Sequence, residues 1–369
     1  MKPLKVILSG GGTGGHIFPA VSIANEIKKL VPHADILFVG ALGKMEMEKV
    51  PAAGYKIIGV HIAGLQRKLA LSNLKLPFLI IKSLLKTRKI IKDFQPHVVV
   101  GTGGYASGPL LKAAVNKGIP ALLQEQNSYA GITNKILSKK ASKICVAYEG
   151  MEKFFPKEKI MLTGNPVRQD LKDVKKYREE AFNFFKLSFN KKVILVIGGS
   201  LGARTINEAI GADLKTLVDN NTQLIWQTGK SYYSIAKQQV SPYTNDHIYA
   251  LEFITRMDLA YAAADIVISR AGASSVSELC NIGMPSILVP SPNVAEDHQT
   301  KNAMALVNKE AAILVKDIEA KQTLISTALA LINNTSQQVT LTNNISQMAF
   351  QNSANTIALE VLKLANYTL

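Results

Sequence analysis

The chain has 369 residues, of which 47% are hydrophobic and 19% are charged. This composition is that of a globular protein and excludes a disordered one, and the length is sufficient for two domains that each bury a core. No stretch of 18 consecutive apolar residues occurs, and the N-terminus lacks a long apolar signal segment. The sequence therefore predicts a cytosolic protein that does not span a membrane.

The net charge of +16 is distributed unevenly. Residues 1–165 contain 24 basic and 9 acidic residues, whereas residues 166–369 contain 19 and 18. A basic half is typical of proteins that meet nucleic acid, an anionic membrane or an anionic substrate, and charge alone does not distinguish these partners. The two cysteines, Cys145 and Cys280, are far apart and have no metal-like neighbours. This favours reduced structural thiols.

The first motif is a glycine-rich loop between a strand and a helix. The apolar run Val6–Leu8 leads into Gly10–Gly15, and helical periodicity follows over Ile17–Ile27. Such a turn aims helix N-terminal N–H groups at an anionic or strongly polar ligand. The loop contains G-x-G-x-x-G, but the acidic residue expected about 20 positions later, at the end of the second strand, is missing. NAD(P) binding is therefore disfavoured.

Strand-length apolar runs alternate with helical stretches twice along the chain. The first set of predicted strands is Val6–Leu8, Ile36–Val39, Ile57–Val60, Val98–Val100, Ala121–Leu123 and Ile144–Ala147. The second set is Val193–Ile197, Gln223–Trp226, Ile248–Leu251, Ile266–Ser269, Ser286–Val289 and Ala312–Val315, with helices around Ala203–Val218, Ser274–Ile282 and Gln299–Asn308. The pattern predicts parallel sheets covered by helices on both faces, joined by a turn-rich hinge at 163–168 and followed by helices from Ile318.

Similar glycine turns follow strands at Gly101–Pro109, Gly198–Ala203 and Arg270–Ser275. One such turn alone is more often a plain strand-to-helix connection. Together with the first loop they favour ligand-binding edges, because ligands of open α/β sheets bind at the carboxyl ends of the strands.

The segment Leu65–Lys92 is strongly basic and holds no acidic residue. Apolar and basic side chains alternate there in a way that predicts a helix lying on anionic lipid. The residues assigned to this surface are Lys75, Phe78, Lys82, Lys86 and Lys89. The alternative is an ordinary packed helix whose lysines face water. Nucleic acid fits less well, because the segment has a single aromatic residue and no reading motif.

The second half contains a candidate diphosphate site at Arg270–Glu278, where helix amides and the hydroxyls of Ser274 and Ser275 follow a strand. Glu278 is interpreted either as a ribose ligand or as a surface or capping carboxylate. No D-x-D triplet occurs, so a carboxylate-held metal at the diphosphate is not supported, and no cofactor is predicted.

Together these motifs closely resemble one family. They are Gly10–His16, Gly103–Pro109, Glu125–Asn127, Gly164–Arg168, Gly198–Ala203, Glu252–Ile254, Arg270–Glu278 and Asp297–Gln299. The family is the peptidoglycan glycosyltransferases that add N-acetylglucosamine from its UDP form to undecaprenyl-diphospho-N-acetylmuramoyl-pentapeptide, converting lipid I into lipid II. The similarity extends from Val6 to Asn302, and one departure is Leu201, where glutamine is expected in many relatives. That departure puts in doubt a polar contact beside the diphosphate.

The resemblance implies the GT-B architecture, in which two Rossmann-like domains with doubly wound parallel sheets face each other across a cleft. Residues 1–165 are expected to form the acceptor and membrane-associated domain, and residues 166–350 the UDP-N-acetylglucosamine domain. Residues 351–369 are expected to form a helix that packs back on the first domain. The implied donor contacts are Thr13, Gly14, Gly15, Asn127, Arg168, Ser200, Ile254, Ala273, Ser274, Ser275, Glu278 and Gln299. The implied acceptor contacts are Gly104, Tyr105 and Ser107.

The implied reaction is a single displacement with inversion at the anomeric carbon, without a metal. His16 is the leading candidate for the general base, the alternative being a helix-start residue that bonds backbone or acceptor phosphate. Glu125 is the second candidate. The implied partners are UDP-N-acetylglucosamine, lipid I and the anionic inner leaflet at the cytoplasmic face of the bacterial plasma membrane, where the protein would be peripheral. Proteins of cell-wall synthesis and division are further expected partners, and nucleic acid is not.

Two other hypotheses remain open from the sequence. A different UDP-sugar enzyme on the same fold, such as a diacylglycerol glycosyltransferase or a UDP-sugar epimerase, would bind UDP but fail with lipid I. A non-enzymatic membrane or nucleic-acid binder would show no dependence on UDP-sugar and would leave the ordered polar loops unexplained.

Overall fold

The computed structural model describes residues 3–62, 76–167, 171, 173–199 and 202–369. The chain divides into two compact units, residues 1–167 with 350–369 and residues 168–349. The strands are β1 (Lys5–Gly10), β2 (Asp35–Ala41), β3 (Lys56–Val60), β4 (Val98–Gly103), β5 (Ala121–Glu125), β6 (Lys143–Val146), β7 (Ile160–Leu162), β8 (Lys192–Ile197), β9 (Thr222–Gln227), β10 (Ile248–Leu251), β11 (Ile266–Ser269), β12 (Ser286–Leu288) and β13 (Ile313–Leu314).

The helices lie between and after these strands. They are α1 (Gly14–Leu30), α2 (Glu46–Ala52), α3 (Leu76–Phe94), α4 (Ser107–Val115), α5 (Ile132–Ser138), α6 (Arg178–Phe184), α7 (Arg204–Ala212), α8 (Leu214–Asp219), α9 (Tyr233–Val240), α10 (Met257–Ala263), α11 (Ala273–Ile282), α12 (His298–Val307), α13 (Ala320–Ile332), α14 (Thr335–Ser346) and α15 (Ser353–Leu364). No described helix combines the length and the apolarity that crossing a bilayer requires.

The first unit is built on a parallel sheet with the strand order β3-β2-β1-β4-β5-β6-β7. The order reverses between β1 and β4, and the helices that follow these two strands pack on opposite faces of the sheet, which makes this a topological switch point. The central strands are buried and apolar because helices cover both faces of the sheet. This switch point is therefore where a ligand is expected in the first unit.

The second unit repeats the design with the order β10-β9-β8-β11-β12-β13, again parallel. Its switch point lies between β8 and β11, the strands that precede the second-half glycine turns. The predicted α/β class with two doubly wound sheets is confirmed.

Two local predictions were wrong. The three-residue strand β7 was missed, because it is too short for periodicity to reveal it. The helix predicted around Ala203–Val218 is broken at Asp213, whose backbone (φ −123°, ψ 25°) leaves the helical region between α7 and α8.

The described tail after β13 is helical, as predicted, and its last helix belongs to the first unit. Ile357, Val361 and Leu362 of α15 are buried in the same apolar cluster as the inner face of α1. The side-chain amide of Asn355 donates a hydrogen bond to the buried carboxylate of Glu26 (3.0 Å). Packing and a specific polar contact together hold α15 on α1.

We expect Ile357→Ala to destabilise the first unit. The side chain is 0% exposed, so its truncation leaves a cavity in that cluster, which typically costs about 2–5 kcal/mol. Chemical denaturation measures the change, with Leu359→Ala on the same helix as the control, because Leu359 is 43% exposed. Equal losses for the two variants would contradict the packing of α15 described here.

Candidate functional site

The loops after β1 and β4 contact each other through backbone atoms at the switch point of the first unit. Gly104 has a positive φ (83°), and a Cβ atom there would lie 2.2 Å from the carbonyl oxygen of Gly11. Gly103 also has a positive φ (101°), and a Cβ atom there would lie 2.9 Å from the His16 ring. Only glycine permits this approach, which places His16 against the β4 loop.

His16 lies half-buried in the first turn of α1, with its ring held at one nitrogen. Nδ1 is 2.9 Å from the carbonyl oxygen of Thr102 and 2.9 Å from Oε1 of Gln126. A carbonyl oxygen only accepts hydrogen bonds, so Nδ1 carries the proton and Nε2 of the neutral ring has a lone pair. Within the described residues no partner of Nε2 is found. The geometry therefore suits His16 for accepting a proton.

Glu46 is a residue of this site that the sequence reasoning missed. It begins α2 and is 0% exposed, and its carboxylate accepts hydrogen bonds from the backbone N–H groups of Gly12 and Ala41 (both 3.0 Å). The glycine-rich loop was expected to present its N–H groups to an anionic ligand. One of them, the N–H of Gly12, instead donates to the Glu46 carboxylate. The sequence feature that could have pointed to Glu46 is that it is the first acidic residue after the second strand.

The Glu125 side chain is hydrogen-bonded within the loop that follows β5 and does not face an open site. The side chain is 1% exposed and accepts hydrogen bonds from the N–H groups of Asn127 (3.1 Å) and Gly131 (3.0 Å). The side-chain amide of Asn134 also donates to it (2.8 Å). These contacts assign Glu125 to shaping the β5 loop, and the geometry favours His16 over Glu125 as the base.

Of the predicted acceptor residues, Gly104 and Tyr105 lie in the loop after β4 and Ser107 begins α4. Tyr105 is 55% exposed there. Ser107 is buried, and its hydroxyl donates to the carbonyl of Gly104 (2.9 Å), which orders the loop. Tyr105 is therefore the more accessible of the two side chains.

In the second unit, the N-terminus of α11 offers backbone N–H groups to an anion. The first intrahelical bond runs from the N–H of Val276 to the carbonyl of Gly272 (2.9 Å), so the N–H groups of Ala273, Ser274 and Ser275 have no acceptor within the helix. One turn further, the hydroxyl of Tyr261 donates to a Glu278 carboxylate oxygen (3.1 Å), although this tyrosine was not predicted. The predicted diphosphate residues thus lie in the first turn of α11, and the predicted ribose residue Glu278 lies one turn further along the same helix.

A buried glutamine, Gln227, joins two of the predicted donor loops and was missed by the sequence reasoning. Its amide donates to the carbonyl of Gly199 (3.2 Å) and its oxygen accepts from the N–H of Ile254 (3.0 Å). The backbone that was expected to meet uracil therefore has its N–H group engaged in this structure. Of the two Ile254 backbone groups, the carbonyl oxygen is the one that remains to hydrogen-bond uracil.

Gln299 lies in the first turn of α12, and its side-chain oxygen accepts from the N–H of Ser291 (2.9 Å). Its amide NH₂ group is the part that remains to donate to a sugar hydroxyl. Nearby, Arg270 donates to the carbonyls of Val289 (3.0 Å) and Pro290 (3.2 Å) and pairs with Asp317. Arg270 therefore fixes the β11 loop against the end of β12.

Several predicted positions lie outside the described residues. These are Arg168, Ser200, Leu201 and Lys75, together with the side chain of Phe78. The described part of the chain holds no cluster of metal-binding side chains. Burial raises the pKa of both Cys145 and Cys280 to about 12, which fits the expectation of unreactive thiols.

The exposed face of α3 carries apolar and basic side chains, and we call Ile81, Lys82, Leu85, Lys86 and Lys89 the α3 surface. Ile81 is 57% exposed and Leu85 is 59% exposed, one helical turn apart. The Lys86 amine donates to the carbonyl of Gly59 (2.6 Å), and Lys89 pairs with Asp93 (2.8 Å). The two lysines are thus partly engaged within the unit.

Comparison with known proteins gave a consistent result. The N-terminal and C-terminal domains of glycosyltransferase family 28 match residues 6–146 and 193–357. A protein of Parabacteroides distasonis named "UDP-N-acetylglucosamine--N-acetylmuramyl-(pentapeptide) pyrophosphoryl-undecaprenol N-acetylglucosamine transferase" is 57% identical over 364 residues, covering 99% of both chains. The protein of that name from Flavobacterium psychrophilum is 56% identical, covering 99% of this chain and 98% of its own.

Solved structures show the same similarity. The crystal structure of Acinetobacter baumannii MurG has 28% identity and a TM-score of 0.76, covering 98% of this chain and 100% of its own. A UDP-N-acetylglucosamine 2-epimerase has a TM-score of 0.67 over 100% of this chain and 98% of its own, at 14% identity. The second similarity concerns the fold alone.

We expect Gly103→Ala to displace the His16 ring and to lower the free energy of unfolding. The new methyl group would meet the imidazole, in addition to the backbone strain of a positive φ, which itself costs on the order of 1–3 kcal/mol. The control is Gly118→Ala, because Gly118 also has a positive φ (72°) but nothing lies within 4 Å of its added Cβ. The measurements are denaturant unfolding and the NMR resonance of the His16 Cε1 proton. A resonance that moves no more in Gly103→Ala than in Gly118→Ala would contradict the contact.

Proposed function

The chain belongs to the family of these N-acetylglucosamine transferases, within glycosyltransferase family 28, and from this premise we propose its reaction. It transfers N-acetylglucosamine from UDP-N-acetylglucosamine to the 4-hydroxyl of the muramoyl sugar of lipid I, giving lipid II. The observation that carries the proposal is the match over 99% of the chain at 57% identity to an enzyme of this name. The same reaction gives the protein a role in peptidoglycan synthesis.

The second unit binds the donor in this proposal. The N–H groups at the start of α11 face the diphosphate. The Glu278 carboxylate accepts hydrogen bonds from the ribose hydroxyls, and the Tyr261 hydroxyl donates to one oxygen of that carboxylate. The Ile254 carbonyl meets uracil, and the Gln299 amide meets the sugar. Arg168 and Ser200 remain part of the proposed donor set. Charge that develops on the leaving UDP is stabilised by the α11 N–H dipoles, which are already oriented.

The first unit supplies the acceptor contacts and the base. Gly104, Tyr105 and Ser107 belong to the proposed acceptor loop, and Thr13, Gly14, Gly15 and Asn127 are the donor contacts proposed in this unit. The 4-hydroxyl oxygen attacks the anomeric carbon, the bond from that carbon to the UDP oxygen breaks, and configuration inverts. The hydroxyl proton passes to Nε2 of His16, the nitrogen that the Nδ1 contacts leave unprotonated.

The α3 surface, with Lys75 and Phe78, docks the first unit on the anionic leaflet that contains the lipid-linked acceptor. Its exposed Ile81 and Leu85 offer apolar area between basic side chains, the combination that favours an interfacial helix. Each basic residue near such a leaflet contributes about 1 kcal/mol. The protein is therefore proposed to be peripheral on the cytoplasmic face of the bacterial plasma membrane and to work beside proteins of cell-wall synthesis and division.

The reaction is tested by incubating the purified protein with labelled UDP-N-acetylglucosamine and lipid I. We expect a new disaccharide product from the wild-type protein. His16→Ala should lower kcat by about 10²–10⁴-fold, because the proton acceptor is lost, and should leave UDP-N-acetylglucosamine affinity nearly unchanged.

His33→Ala is the matched control, since His33 lies outside both proposed sites, in the turn before β2. A product formed with another UDP-sugar or another acceptor, but not from lipid I, would refute the proposed substrate. Weaker donor binding at unchanged kcat would remove His16 as the base.

Membrane docking is tested by changing Lys75, Lys82, Lys86 and Lys89 together to Glu. Reversal of four charges should weaken binding to vesicles containing anionic phospholipid by at least about tenfold. Activity on long-chain acceptor should fall with it, whereas activity on a soluble short-chain acceptor should persist. The control changes Lys192, Lys215, Lys237 and Lys309 in the second unit, an equal change of charge. Equal vesicle binding by the two quadruple variants would rule out the α3 surface as the docking site.

A further inference from the structure

A chain of buried side-chain amides runs from His16 into the segment that leaves the first unit. Its members are Gln126, Gln124 and Asn165, which are 1%, 0% and 3% exposed. Gln124 donates from its amide to the side-chain oxygen of Asn165 (2.9 Å), and the Asn165 amide donates to the backbone carbonyl of Gln126 (3.0 Å). Asn165 lies between β7 and the last residue of the unit's first segment, Val167.

The contacts of Gln126 fix which way its side-chain amide points. Its NH₂ group donates to the carbonyl oxygens of Thr102 (2.6 Å) and Gln124 (3.0 Å). A flipped amide would place its oxygen against two acceptors, which is repulsive. The oxygen therefore faces Nδ1 of His16, at 2.9 Å.

Two acceptors consequently converge on one ring nitrogen, the Thr102 carbonyl and the Gln126 amide oxygen. Both require a proton on Nδ1, so together they select the tautomer whose Nε2 is a base. The Thr102 hydroxyl also donates to the backbone carbonyl of His16 (2.7 Å), which holds the main chain under the ring. The ring is therefore constrained in both tautomer and orientation.

A neutral acceptor at this position has a different effect from a carboxylate. An anionic partner stabilises the imidazolium and raises the histidine pKa, whereas an amide oxygen orients the ring without adding charge. The two carboxylates of the surrounding loops, Glu46 and Glu125, are engaged by backbone N–H groups of those loops. The two partners of the His16 Nδ1 are therefore both uncharged oxygens.

We propose that Gln126 is a positioning residue for His16, and that Gln124 and Asn165 hold Gln126 in place. The buried chain sets the Nδ1–H tautomer and aims Nε2 at the reacting hydroxyl. The kinetic consequence rests on the proposed transferase function, whereas the tautomer is a property of the folded protein alone.

The kinetic test compares Gln126→Leu with Gln126→Glu on lipid I. Gln126→Leu removes the acceptor, and we expect kcat to fall by about tenfold or more while KM for UDP-N-acetylglucosamine changes less than about twofold. The acid limb of the kcat–pH profile should move to lower pH in Gln126→Leu, because the imidazolium loses a partner. It should move to higher pH in Gln126→Glu, because the new carboxylate raises the histidine pKa.

The control is Gln223→Leu, which removes an equally buried amide from the second unit. Gln223 donates to the carbonyls of Ser188 (2.9 Å) and Lys191 (3.1 Å), so its loss should lower stability without moving the acid limb. Shifts in opposite directions for the two Gln126 variants, absent in Gln223→Leu, support the positioning role. If the acid limbs of both Gln126 variants coincide with the acid limb of Gln223→Leu, the positioning role is overturned.

Nitrogen-15 NMR of labelled histidine tests the tautomer without any substrate. We expect His16 of the wild-type protein to carry its proton on Nδ1, and Gln126→Leu to populate both tautomers. A wild-type ring protonated on Nε2, or identical His16 spectra in the two proteins, would overturn the proposal. If the wild-type protein makes no disaccharide, the transferase function fails, and the NMR comparison still decides the positioning role.

Discussion

The close approach of two backbone segments organises the first unit. Gly104 lies against Gly11, and no side chain could occupy the space between them. This contact fixes the loops after β1 and β4 to one another and brings the His16 ring over Gly103. A hydrogen bond from the ring Nδ1 to the Thr102 carbonyl then holds an arrangement that steric fit has already imposed. The proposed base therefore depends on the absence of side chains at neighbouring positions.

The two units share a strand order that reverses at a switch point, and each has a glycine-containing turn there before a helix. In the first unit the Glu46 carboxylate accepts the N–H of Gly12, so part of the glycine loop is satisfied from within. In the second unit the amides of Ala273–Ser275 have no acceptor within α11. The N–H groups at the start of α11 are the ones that we propose for the anionic diphosphate of the donor.

Sequence periodicity was sufficient for most of the fold, because parallel strands buried on both faces are continuous apolar runs. The strands of both sheets were predicted except for β7, whose three residues at a sheet edge give no periodic signal. The break at Asp213 was also missed, since local sequence does not show a single residue leaving the helical region. In the candidate site, the glycine-rich loops and His16 could be identified from the sequence, because few other residue types can replace glycine or histidine in these roles.

The sequence by itself determined the α/β class, the two repeated sheets and the family, because these follow from local periodicity and from motifs in a fixed order. Only the tertiary structure decided which donors and acceptors meet. The chain alone does not show the roles of Glu46, Gln126 and Gln227, because each acquires its role from a partner on another strand or loop. The physical reason is that a buried polar group must find its hydrogen-bond partner in space, and folding, not the spacing of residues along the chain, supplies that partner.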